Sequence, residues 1–335
     1  MCLDGCAAYR FLNAPDGLRR IPMQAIRIHQ YGDRSILRCE EAPEPVLRAH
    51  DVLVRVHAAA VNPADCQFRR GDYAAFAPLR FPAILGWDVA GWVERVGPEA
   101  QGFMVGDAVF AMLDMSRDGG YAERVAIQSA HVAAAPKSIP LSHAAGVPLA
   151  ALTAWHALFE LGKLARGQTV LVHAAAGGVG QFAVQLARNA EVNVLATASP
   201  SNHAMLQSLG ATRCIDYKDT AALSSISDVD VVLDGAGGET RERSWSALRP
   251  DGIMVAIAMP PVDPAEATRH GARAALAAVV PNGPRLAEIA RQIDAGRLRV
   301  NIDSEFPLAD AAAAHARSES RHAHGKILLK VADRP

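Results

Sequence analysis

No apolar run in the 335-residue chain reaches the length that a membrane-spanning helix requires, so there is no case for an integral membrane protein. Neither sign of charge is in excess. Thirty-four Lys and Arg stand against 35 Asp and Glu, a net charge of −1, and without a basic cluster there is no electrostatic case for nucleic acid or an anionic lipid surface. Cysteine is scarce: Cys2, Cys6, Cys39, Cys66 and Cys214 are odd in number and widely scattered. That excludes a disulfide framework and a four-cysteine zinc lobe, and predicts reduced, mostly buried thiols. The first twenty residues carry Asp4 and Asp16 where a secretory signal needs an uninterrupted apolar core, and a cytoplasmic protein is expected. A second plausible start, MQAIRIHQYG from Met23, makes residues 1–22 a disordered, dispensable extension.

What the chain does have is apolar residues, 50% against 21% charged, enough for a large core divided between two domains. Residues from Ala25 to about 130 alternate short apolar runs with Pro, Gly and charges, as in DVLVRVHAAAVNP and ILGWDVAGWVERVG, which predicts antiparallel strands. From Leu141 the pattern turns helical and then alternates strand and helix through TVLVHA, VNVLATA, RCIDY, VDVVLDGAG and GIMVAIAM. Such alternation predicts a doubly wound parallel sheet. LAEIARQIDAGR reads as a further helix, and HGKILLKV as a strand that returns to the first domain. The fold class expected is α/β, with a β-rich domain over 23–150 and 284–335 and a nucleotide domain inserted at 151–283.

The chemistry begins at TVLVHAAAGGVGQFAVQLARN, residues 169–189. A β-branched run leads into glycines, and Val179, Phe182, Ala183, Leu186 and Ala187 then recur at helical spacing. Strand, glycine turn and helix in that order aim backbone N–H groups and a helix start at a pyrophosphate. Ala175, Gly177 and Gly180 fill the three fingerprint positions. Gly177 is expected to admit the phosphate, and Gly180 to let the helix pack on the strand. At the end of the following strand, where an NAD-binding protein places an Asp or Glu for the ribose 2′-hydroxyl, this chain has Ser199. A serine does not repel a 2′-phosphate, so NADPH is expected rather than NADH.

AAAGGVGQFAVQLA, LATAS, LGAT and IDY, together with VNPAD, PAILGWDVAG, GVPLAALTAW and HGKILL, resemble the medium-chain dehydrogenase/reductase superfamily. Within it they resemble the zinc-independent quinone oxidoreductase (zeta-crystallin-like) group, from about Met23 to the C-terminus. The resemblance implies a GroES-like catalytic domain, a Rossmann domain, and NADPH-dependent reduction of quinones or activated alkenes. It also implies a homodimer, with ARAALAAVV after Gly271 at the paired edge. In zinc alcohol dehydrogenases of the superfamily the matching segments carry Cys and His–Glu as ligands; here those positions are Asn62, Trp87 and Asp88. An amide, an indole and one carboxylate do not make the three-ligand site that a catalytic zinc needs, and no metal is expected. His315, His322 and His324 are expected at the surface.

Without a Lewis acid the acceptor must already be electrophilic, which favours quinones and α,β-unsaturated carbonyls over simple ketones. Resemblance sets Asn62, Tyr73 and Thr153 around the nicotinamide. Tyr73 is either a proton donor or a packing tyrosine, with Asn62 as the other catalytic candidate. The cofactor-binding set is completed by Ala175, Gly177, Gly178, Val179, Gly180, Ser199, His203, Tyr217 and Lys326. Of these, Ser199 and Tyr217 match residues that meet the 2′-phosphate, and His203 stands where a Lys is common. An enoyl-thioester or enone reductase, and a non-catalytic NADPH-binding protein, remain as alternatives; the partner expected in every catalytic case is a small molecule.

Overall fold

The structure of the protein, a computed structural model, describes residues 22–332. The expected extension, apart from Pro22, and with it Cys2 and Cys6, lies outside them.

Six parallel strands form one sheet in the order 213–216, 193–198, 169–172, 229–234, 248–256, 273–276. Arg273–Leu276 is therefore an edge strand. Helices pack on this sheet, as a parallel sheet buried on both faces demands. A second sheet of seven strands is built around Asp51–Val61, which pairs antiparallel with Asp88–Val96, Arg124–Gln128 and Lys326–Lys330. The last of these is the returning C-terminal strand. Ile302–Pro307 pairs parallel to it, a strand that the charged sequence IDSEFP did not disclose.

Asp51–Val61 is buried on both faces, and its alternation divides the interior. Ala59 and Val61 face the β-rich core, while Ala58 and Ala60 belong to a core continuous with Val170, Val172 and Phe182 of the parallel sheet and its helix. Methyl groups at Ala58 and Ala60 let the two layers meet closely. The two sheets thus share one interior.

Inside the β-rich region a chain of buried polar groups ties the C-terminal helix Ala311–Glu319 to helix Pro63–Arg70. Arg69 donates to His315 Nδ1 at 3.0 Å. A guanidinium cannot accept, so the imidazole carries its proton on Nε2, which donates to the Tyr121 hydroxyl at 3.3 Å. Tyr121 donates to Asp65 Oδ2 at 2.9 Å, and that oxygen also accepts the backbone N–H of Asn62 at 2.6 Å. The expected surface position of His315 is corrected here: it is fully buried, because the alanine-rich face of its helix turns inward, whereas His322 and His324 are exposed. Burial, with Arg69 and Arg70 adding repulsion, pushes the His315 imidazole down to about 3. Burial also lifts the Asp65 carboxyl to about 7, against the N–H of Asn62 and the Tyr121 hydroxyl. Of the described cysteines only Cys66 is buried; Cys39 is exposed and Cys214 intermediate, so the expectation of mostly buried thiols is corrected too. Cys39 lies on the short strand Arg38–Ala42, which is largely solvated.

The glycine turn joins strand Thr169–Val172 to helix Gly178–Asn189. A Cβ on Gly180 would lie 2.6 Å from the Ala175 Cα and 2.5 Å from the Ala174 carbonyl oxygen, so only glycine permits this helix to touch the strand end. The strain of the turn falls at Ala174, with φ of 51°, a left-handed conformation that costs an alanine on the order of 1 kcal/mol. Ala175, in the first fingerprint position, is buried and donates its N–H to Thr197 O at 3.1 Å.

Ala174→Gly is expected to raise stability by about 1 kcal/mol, since Ala174 is exposed and loses no packed side chain; denaturant unfolding measures it. A second expectation concerns pH. Folded Asp65 keeps its proton to about 7 while the unfolded carboxyl releases it near 3.8, so the native state holds more protons in that window and stability falls as pH rises through it. His315 works in the opposite sense: the unfolded imidazole protonates below 6.5 and the folded one only near 3, so its contribution is lost on acidification. Asp65→Asn keeps an acceptor for Asn62 N–H and Tyr121, and its stability relative to the unmodified protein should improve from pH 5 to pH 8. A difference in thermal midpoint that stays constant over that range would contradict the assignment.

Candidate active site

The first amides of helix Gly178–Asn189 have no intrahelical acceptors, as at every helix start. A Cβ on Gly177 would meet only the Ala174 carbonyl oxygen at 3.2 Å, so the far side of this residue is open. Gly177, Gly178 and Val179 are partly exposed and Gly180 is buried behind them. This cradle fits a pyrophosphate: donors, a helix N-terminus and no side chain in the way.

Beneath it lies His173, which sequence reasoning missed. Its ring bridges Thr197 Oγ1 at 3.0 Å and Ser244 Oγ at 2.7 Å, and burial lowers its imidazole to about 4. A neutral histidine thereby ties two adjacent strands to helix Gly238–Ser244. Also missed is the pair Asp234–Arg241. Asp234 Oδ2 accepts Arg241 Nε at 2.5 Å, and Oδ1 accepts the N–H groups of Ala236 and Gly237 at 3.0 and 2.7 Å. Arg241 continues to the carbonyls of Ala258 and Pro260 at 2.7 and 2.6 Å. This fixes two loops at the carboxyl ends of adjacent strands, where open α/β sheets bind ligands. A lone Asp and an Arg seven residues apart carry no sequence signal of such a clamp.

The adenosine side is set by strand register. Ala198 lies opposite Asp216, which brings Ser199 and Tyr217 out at the same edge of the sheet. Ser199 is half-buried and makes no capping bond, and Tyr217 is exposed. His203 Nε2 faces the Ala198 carbonyl at 3.1 Å, so that nitrogen donates inward. A cation overlooked in the sequence, Lys218, stands 5.8 Å from the Tyr217 ring centroid. It follows Tyr217 directly, at the end of IDY.

On the other side of the glycines, Asn62, Asp88, Leu149 and Thr153 form one hydrogen-bonded chain. Asn62 Nδ2 donates to Asp88 Oδ2 at 2.9 Å, Leu149 N–H donates to Asp88 Oδ1 at 2.7 Å, and the Thr153 hydroxyl donates to the Leu149 carbonyl at 2.7 Å. Thr153 therefore retains only acceptor capacity. The Lys326 ammonium donates to Asn62 Oδ1 and to Asp88 Oδ2, the latter at 3.2 Å. Its stem runs past the glycine turn: a Cβ on Gly178 would be 3.0 Å from Lys326 Cδ. Asn62, Asp88 and Lys326 are all buried.

Tyr73 is not part of this chain. Its hydroxyl donates to Gln67 Oε1 at 2.7 Å, burial raises the phenol above its ordinary value, and its ring packs edge-on to Phe68 at 4.8 Å. Phe68 in turn lies against the fully buried Trp87 at 4.5 Å.

Zinc does not fit these residues. Asp88 is already engaged by an ammonium, an amide and a backbone N–H, and a divalent ion at Asn62 would face the Lys326 charge. Among the described residues no group of three or more His, Cys, Asp and Glu could hold a metal ion.

The profile described as "Alcohol dehydrogenase GroES-like domain" matches residues 48–137, and the one described as "Zinc-binding dehydrogenase" matches 209–329. The human protein named NAD(P)H oxidoreductase RTN4IP1, mitochondrial, is 32% identical over 93% of this chain and 90% of its own length. Quinone-oxidoreductase QR1, chloroplastic, of Triphysaria versicolor is 33% identical over 92% and 98%. The solved quinone oxidoreductase of Coxiella burnetii superposes with a TM-score of 0.87 at 32% identity, over 93% of this chain and all of that one. A mycobacterial structure described as complexed with NADPH gives 0.82 at 30% identity, over 92% and 99%. The expected cytoplasmic location is overturned by the names of the human and Triphysaria relatives, mitochondrial and chloroplastic. An organellar transit segment is amphipathic rather than apolar, so the lack of an apolar core near Met1 never bore on it. With a GroES-like domain, a parallel-sheet nucleotide domain and relatives above 30% identity along almost its whole length, the chain belongs to the medium-chain dehydrogenase/reductase superfamily and is an oxidoreductase.

Proposed function

We propose that the protein is an NADPH-dependent reductase of quinones and other activated α,β-unsaturated carbonyls that works without zinc. The observation that carries this reading is the open glycine cradle set beside a buried Asn62–Asp88–Lys326 cluster in which a metal does not fit. When bound, the cofactor supplies a hydride from its nicotinamide.

The residues of the chain do the rest. Gly178, Val179 and Gly180 offer the pyrophosphate the free amides of the first helical turn, Gly177 leaves it room, and Ala175, its own N–H spent on Thr197 O, shapes the turn. Ser199 and Tyr217 meet the 2′-phosphate, with Lys218 supplying the permanent charge and His203 bordering the site. Lys218 tilts the choice toward NADPH over NADH, because a phosphate dianion gains a charge-assisted contact that a ribose hydroxyl does not. Thr153, with its own proton committed to Leu149, accepts from the carboxamide NH₂. Asn62 spends one Nδ2–H on Asp88 and keeps the second for the acceptor oxygen, on which negative charge grows as the hydride arrives. Tyr73 bounds the acceptor side with its ring, and since its hydroxyl is committed to Gln67 the completing proton comes from water.

We also propose a homodimer through the edge strand Arg273–Leu276. Its end is apolar and exposed at Leu276, and isologous pairing would cover an unpaired strand edge.

Steady oxidation of NADPH with 1,2-naphthoquinone, compared with an enone, a crotonyl thioester and no acceptor, tests the activity. Turnover with the thioester alone would favour the enoyl reductase reading, and none with any acceptor would defeat the enzymatic one. Gly177→Val is expected to abolish NADPH binding in a fluorescence titration while the fold persists, since the added atoms enter the open side of the turn. Tyr73→Phe should hold kcat within about threefold. A loss of tenfold or more, in the range expected for removal of a general acid, would identify the phenol as the proton donor.

A further inference from the structure

Asn62 is useful to an acceptor oxygen only if its amide is held one way round. Its two neighbours decide this. Lys326 has donors and no acceptor, and the Asp88 carboxylate accepts and cannot donate. Asn62 Oδ1 therefore faces the ammonium and Nδ2 faces Asp88, and a flip of the amide would set N–H against ammonium and oxygen against carboxylate. The same lysine runs its stem along Gly178 of the glycine turn, and its backbone is fixed by the N–H to Asn301 O bond at 2.9 Å and by the strand Lys326–Lys330. Lys326 thus reaches both the glycine turn and Asn62.

We propose that Lys326 is a positioning residue: its ammonium, shared between Asn62 Oδ1 and Asp88, locks the Asn62 amide with an N–H available to the acceptor, so that turnover depends on Lys326 through Asn62. The inference rests on the reductase reading above. It separates Lys326 from the glycine backbone and from residues that only hold cofactor, because its effect is carried to the acceptor side. It also gives Asp88 a definite task, since a carboxylate that accepts from Leu149 N–H, from Asn62 and from the ammonium is fixed to the start of helix Pro148–Trp155 as well.

Removing the ammonium alone would strand a buried carboxylate, so the variant of choice is the double substitution Lys326→Met with Asp88→Asn, which removes both charges and nearly keeps the volume. It is compared in the native background and in Asn62→Ala. In the native background kcat with an enone is expected to fall about 10- to 100-fold, somewhat less than the loss of an oxyanion donor outright, while NADPH affinity stays within about threefold. In the Asn62→Ala background the same pair should change kcat by less than about threefold, because the residue it acts through is gone. Lys326→Arg, which keeps a donor-only cation, should restore most of the native kcat. Equal losses in both backgrounds would overturn the proposal, as would a change confined to NADPH affinity with kcat at saturation untouched. Should that double variant fail to fold, Lys326→Gln with Asp88→Asn serves. This neutral amide pair can donate or accept toward Asn62 in either sense and so frees the flip without leaving a buried charge unpaired, and a kcat loss seen only with Asn62 present supports the proposal while an equal loss in both backgrounds refutes it. An unmodified protein that binds NADPH but reduces no acceptor would overturn this inference together with the reading on which it rests.

Discussion

The arrangement depends on one buried ion pair. Lys326 and Asp88 are drawn from opposite ends of the chain, each almost wholly out of water. Neither is tolerable alone at that depth, and together they make a neutral unit that also hydrogen-bonds Asn62 and Leu149. The C-terminal strand must pair with Asp51–Val61 for Lys326 to arrive, and the strand Asp88–Val96 must pair with the same Asp51–Val61 for Asp88 to meet it. The central strand of the β-rich sheet is therefore also the scaffold of the site.

Around this unit the protein repeats one device: a buried polar group hydrogen-bonded across segments distant in sequence that must stay in register. His173 does this beneath the glycine turn, Asp234 and Arg241 do it at the carboxyl ends of the parallel strands, and Asp65 with Tyr121 and His315 does it inside the β-rich sheet. Apolar packing would hold these regions together but not in a unique register, because dispersion contacts lack direction. Burial keeps the two histidines neutral well into the acid range and holds the proton on Asp65 up toward neutral pH. Rigidity of this kind suits a site whose chemistry relies on alignment.

The sequence by itself determined the α/β class, the strand–turn–helix with its glycines, the returning C-terminal strand, and the chemical unsuitability of Asn62 and Trp87 as zinc ligands. These are properties of residue type and local period: a β-branched run, a change from period 2 to period 3.6, a glycine where backbone meets backbone, an amide or indole that does not bind zinc. The tertiary structure alone decided which polar residues meet. His315 reads as a surface residue on an alanine-rich helix, since alanines mark no face strongly, yet that face is buried and the histidine with it. The strain of the glycine turn sits at Ala174 rather than Ala175, which only the dihedral angle reveals. Lys326 and Asn62 were each recognisable as site residues, but their contact joins positions 264 apart, and no periodicity or spacing rule reaches across that distance. Local sequence carries local geometry, whereas the pairing of buried charges is settled only when strands from both ends of the chain close on the same central strand.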